Sequence, residues 1–146
     1  MSDHGIILLV EDNSSDEELT LRAIRRAKIA NRIVVVRDGA AALDYLFARG
    51  AYADRPDDDE IQVVLLDLNL PKLSGLDVLR AIRGDPRTRR LPVVILTSSR
   101  EDRDVAGGYD GGANSYVVKP VDFNQFAEAV RQLGFYWLLL NQQVPR

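Results

Sequence analysis

The chain has 146 residues, 46% hydrophobic and 28% charged, which suits one domain with a single substantial core. Its net charge of −3 argues against a nucleic-acid binder driven by phosphate contacts, and the lack of cysteine excludes disulfides and thiolate metal sites. The opening residues MSDHGIILLVEDN lack a basic start, and no apolar run reaches the ~18 residues of a membrane span, so a cytoplasmic protein without a signal peptide or membrane partner is expected.

Taken in order, two kinds of segment alternate. IILLV (Ile6–Val10) is short, apolar and unbroken by polar residues. Such runs suggest strands covered on both faces, as in parallel sheets. SSDEELTLRAIRRAK follows with helical spacing; Ser14 with Glu17 reads as a capping box, and the first-turn acids suit the helix dipole. RIVVV (Arg32–Val36) is the second strand, and GAAALDYLFARG is a helix closing on Gly50. The loop GAYADRPDDDE is acidic and reads as solvated. IQVVLL (Ile61–Leu66) is the third strand, and GLDVLRAIRGD sets Leu76, Leu79 and Ile82 on one stripe. PVVIL (Pro92–Leu96) is the fourth strand. REDRDVAGGYDGGAN is a weak helix, loosened by Gly107 and Gly108. SYVVK (Ser115–Lys119) is the fifth strand. A last helix runs from Asp122, its N-cap, to about residue 141, with Phe126, Val130, Leu133 and Trp137 toward the sheet.

This alternation predicts a three-layer, doubly wound (βα)5 flavodoxin-like fold with a five-stranded parallel sheet. In such sheets ligands bind at the carboxyl ends of the strands, where strand order reverses. For the order 2-1-3-4-5, Glu11 and Asp12 after strand one and Asp67 after strand three converge there. Thr97 and Lys119 arrive from the neighbouring strands. Three carboxylates that close repel one another, so either one keeps a proton or a cation joins them. Oxygen ligands without cysteine suit Mg²⁺, with Mn²⁺ or Ca²⁺ as substitutes. A hydroxyl and an ammonium beside that ion are the parts that hold a phosphoryl group, and Asp67 is then a candidate nucleophile.

The segments LLVEDN, DGAAALDYL, LLDLNLPKLSGLDVL, PVVILTSS and GANSYVVKPVD together resemble the receiver domain of two-component response regulators over nearly the whole chain. The resemblance implies Asp67 as phosphoacceptor of a histidine kinase in a Mg²⁺-dependent reaction. It implies Asp12 as direct metal ligand, Glu11 acting through water, and Asn69 offering its backbone carbonyl. Thr97 and Lys119 would contact the phosphoryl group, Tyr116 would be the switch aromatic, and Lys119–Pro120 a cis peptide. Glu11 stands where the family more often has Asp, a change expected to shift metal affinity. DLNLPK, KPVDFNQF, the acidic loop and the aromatic tail resemble stand-alone regulators paired with bacterial phytochrome kinases.

The expectation is therefore one receiver domain over 1–146 without an output domain, acting as a phosphorylation switch rather than an enzyme. The apolar Phe135, Tyr136, Trp137, Leu138 and Leu139 favour a symmetric homodimer. A phosphohydrolase with an Asp nucleophile would need an acid two residues after Asp67, where Asn69 stands. An FMN-binding module would need a phosphate loop where the acidic EDNSSDEE lies. A non-phosphorylated interaction module leaves the intact acidic set unexplained.

Overall fold

The computed structural model describes residues 5–56, 60–98 and 113–133. Five strands, β1 (Ile6–Val10), β2 (Arg32–Val36), β3 (Ile61–Asp67), β4 (Val93–Thr97) and β5 (Ser115–Val118), form one parallel sheet in the order β2-β1-β3-β4-β5. The helices are α1 (Ser14–Arg26), α2 (Gly39–Leu46), α3 (Gly75–Gly84) and α4 (Phe123–Leu133), with a 3₁₀ turn at Gly50–Tyr52. The fold and strand order are those expected from the sequence.

The unbroken apolar runs are explained by two cores, one on each face. Ile6, Leu8 and Val10 of β1 share a core with Val64, Leu66 and Ile95, under Ala42 and Tyr45 of α2 and Val78, Leu79 and Ile82 of α3. Ile7 and Leu9 point the other way, with Val63, Leu65 and Val117, onto Ala23 and Ile24 of α1 and Phe126, Ala129 and Val130 of α4. Alternate residues of one strand thus serve opposite layers. Each fully buried Leu or Ile contributes on the order of 2 kcal/mol.

Two helix ends differ from the sequence reading. The cap of α1 is Asn13, not Ser14: its Oδ1 accepts from Asp16 N at 2.9 Å, and Ser14 is already helical. Helix α2 ends at Leu46, four residues before Gly50. There Arg49 N donates to Asp44 O (2.9 Å) and Ala48 N to Tyr45 O (3.3 Å), a Schellman closure with Ala48 left-handed at φ 51°. Helix α4 is capped as expected, Asp122 Oδ1 accepting from Gln125 N at 2.8 Å. The acids 57–59, the weak helix with its glycines, and the tail including residues 135–139 lie outside the described residues.

At the amino ends of β4 and β5, Arg83 of α3 donates to the carbonyls of Arg89 (3.0 Å) and Leu91 (2.7 Å) and to Asn114 Oδ1 (3.1 Å). The same Asn114 oxygen accepts from Val93 N at 2.8 Å. Among the described residues no helix is long and apolar enough to cross a membrane.

Helix α3 begins against the end of β3. A Cβ on Gly75 would lie 2.3 Å from Asp67 O and 2.6 Å from Leu68 Cα, while Gly75 N donates to Leu68 O at 2.9 Å. The Asp67–Leu68 backbone leaves no room for a methyl group. Gly75→Ala is expected to cost about 1–3 kcal/mol in urea unfolding, from backbone displacement. An unchanged midpoint would show that the helix start can shift freely.

Candidate functional site

Strand β1 stops where apolar residues give way to two acids, and the chain turns there into α1. Glu11 stays inside, 0% exposed, with its N–H on Val36 O at 3.0 Å; Asp12 is exposed. Asp67 closes β3 and is 2% exposed, its Oδ1 accepting from Asn69 N at 3.1 Å. Carboxylate oxygens of Glu11, Asp12 and Asp67 lie within 4.8 Å of one another. The expected convergence of the three acids is therefore present.

Lys119 follows β5 and reaches into this cluster. Its Nζ lies 3.1 Å from Glu11 Oε1, 3.0 Å from Asp67 Oδ2 and 3.0 Å from Asp16 Oδ2. Its backbone N donates to Thr97 O at 2.8 Å. Thr97 is fully buried at the end of β4, one residue beyond Leu96, the register partner of Asp67. Tyr116 pairs with Ile95 and packs, half-buried, on the core shared with α2 and α3. The Lys119–Pro120 peptide is cis.

Asp16 is the site residue that the sequence reading missed. The helix dipole alone accounts for an acid at this position, and the same side chain also reaches the ammonium. The available signal was its place in the first turn of the helix that leaves the acidic strand end.

Four carboxylates against one ammonium leave the site strongly negative. Burial, then the hydrogen bond and charge of Asp67, raise the Glu11 pKa to about 7, with Lys119 pulling the other way. For Lys119, burial opposes the ammonium, but its hydrogen bonds to Asp67 and Asp16 and the charges of Asp67 and Glu11 prevail, and its pKa is raised. Glu11 Oε1 is buried with no aligned hydrogen bond, although Nζ stands nearby. An all-oxygen donor set with excess negative charge and such an oxygen fits a hard divalent cation.

The response regulator receiver domain family matches residues 7–131. The chain is 43% identical over 141 residues to the probable methanogenesis regulatory protein FilR2 of Methanothrix harundinacea, covering 96% of this chain and 88% of that protein. The structure of the bacteriophytochrome response regulator AtBRR superposes with TM-score 0.88 at 52% identity, covering 97% of this chain and 100% of the other. RtBRR, also a bacteriophytochrome response regulator, gives 0.89 at 50% identity over 97% and 84%. The Mn²⁺-bound form of response regulator Rcp1 gives 0.74 at 34% identity over 97% and 99%. Rcp1 thus binds a divalent ion, and the oxygen cluster of Glu11, Asp12 and Asp67 has the donor chemistry such an ion takes. On these matches and this geometry the chain belongs to the response regulator receiver domain family, a phosphoacceptor of two-component signalling rather than an enzyme with its own small-molecule substrate.

Proposed function

We propose that Asp67 is the phosphoacceptor of a switch driven by a bacteriophytochrome histidine kinase. The observation that carries the acceptor assignment is the Lys119 ammonium 3.0 Å from the buried Asp67 Oδ2, with Glu11 and Asp12 alongside; the class of kinase rests on the likeness to bacteriophytochrome response regulators. Asp67 Oδ attacks the phosphorus of a phosphohistidine; the new P–O bond forms as the P–N bond breaks, and the imidazole leaves. Later, water attacks phosphorus, the P–O bond to Asp67 breaks, and carboxylate and inorganic phosphate are restored.

The residues divide the work. Lys119 binds a phosphoryl oxygen and offsets its charge. Thr97, joined through its carbonyl to the Lys119 backbone, offers a hydroxyl to the same group. Tyr116, on the strand beside it, responds to Thr97. Glu11, Asp12, Asp67 and the Asn69 carbonyl would hold Mg²⁺, which when bound neutralises charge on the phosphoryl oxygens. The protein works in the cytoplasm as a homodimer joined through residues 135–139. That oligomer rests on their apolar sequence and is tested by light scattering at micromolar concentration, where a lone monomer would contradict it.

The direct test is incubation with acetyl phosphate and Mg²⁺, followed by intact mass. The wild-type chain is expected to gain one phosphoryl group and Asp67→Asn none; label on the variant would move the acceptor elsewhere.

A further inference from the structure

An ammonium has three N–H groups, and in this site Glu11 and Asp16 accept hydrogen bonds from Lys119 while Asp67 Oδ2 lies 3.0 Å from the same nitrogen. A phosphoryl oxygen must therefore compete with these carboxylates for the ammonium. The three partners differ. Glu11 and Asp67 form the buried floor, at 0% and 2% exposure. Asp16 sits on α1, its side chain 28% exposed, so water can replace the ammonium as its partner. Asp16 also lies outside the three acids whose oxygens gather within 4.8 Å. It is therefore the partner that gives way at the lowest cost.

We propose that Asp16 is a positioning residue that competes with the phosphoryl group for Lys119, and so weakens the hold on the switched state. This rests on the assignment of Asp67 as acceptor. Asp16 Oδ2 and Asp67 Oδ2 both lie 3.0 Å from one nitrogen, which puts them at most about 6 Å apart. Turning the Asp67 carboxylate into an acyl phosphate adds one negative charge there. At a dielectric between protein interior and water, the unit charge of Asp16 then opposes phosphorylation by roughly tenfold. Its hydrogen bond draws the ammonium the same way, toward α1.

The test is the equilibrium affinity for beryllium fluoride, a phosphoryl analogue, at saturating Mg²⁺, read from the bound ¹⁹F NMR signal. Asp16→Asn and Asp16→Ala are expected to bind roughly tenfold tighter than wild type, with the gap narrowing as salt is raised. Asp16→Glu, which keeps the charge, should stay within about twofold of wild type. Unchanged or weaker binding by Asp16→Asn and Asp16→Ala would overturn the proposal, as would equal tightening by Asp16→Glu, because shape rather than charge would then be the cause. Asp67→Asn is the separate control: analogue bound by that variant at the wild-type level would refute the acceptor assignment itself.

Discussion

Lys119→Ala is expected to destabilise the metal-free protein by about 3 kcal/mol at pH 8 and to lower labelling by acetyl phosphate at least ~100-fold. The stability loss arises from what the substitution leaves behind. Glu11 and Asp67 are almost wholly buried, and the lysine is their shared cation. Removing one partner of a buried ionic cluster costs more than the cluster ever contributed, because the remaining charges keep their desolvation penalty. The sign with pH follows from the raised Lys119 pKa: its contribution is complete below the ordinary lysine value and is lost only in strong alkali. At pH 8 the wild type therefore has the full benefit, while the variant holds carboxylates with no counter-charge. Urea unfolding in EDTA measures the difference. A variant within about 0.5 kcal/mol of wild type would show that water reaches these acids freely.

Mg²⁺ is expected to raise the melting temperature more at pH 8 than at pH 5.5, and the difference should vanish in Glu11→Gln. Glu11 has its pKa raised from 4.5 to about 7. Between those values the folded chain holds a proton that the unfolded chain has released. The stability associated with that proton is complete below pH 4.5 and disappears as pH rises through 7, a loss on the order of 3 kcal/mol. The metal-free protein bears that loss at pH 8, and a divalent ion offsets it. At pH 5.5 the ion must first displace the proton, so its net effect is smaller. Calorimetric titration near pH 7 in buffers of different ionisation heat should show proton release on binding. Equal Mg²⁺ stabilisation at both pH values would place the Glu11 proton elsewhere.

Much of this site was legible because strand ends are marked twice, by the stop of an apolar run and by the polar residue after it. Asp67 follows Leu66 and Lys119 follows Val118, so the parallel topology alone sends both to one edge. What failed to show was local geometry. Asn13 and Ser14 are adjacent and both able to cap, and only backbone angles select the first. Gly50 looks a better helix stop than Ala48, yet the chain turns left-handed at the alanine, because two backbone hydrogen bonds close the turn there. Glu11 and Asp12 read alike, but one is enclosed and the other exposed. Asp16 hid its second contact behind a sufficient first explanation.

The clamp that Arg83 makes has a consequence for how a signal leaves this edge. One guanidinium ties α3, the approach to β4 and the start of β5 at the end remote from Asp67. With their roots tethered together, β4 and β5 cannot slip past each other lengthwise. On the proposed assignment of Asp67 as acceptor, its added charge would act through side-chain torsion at the free tips, on the face where Thr97 and Tyr116 lie.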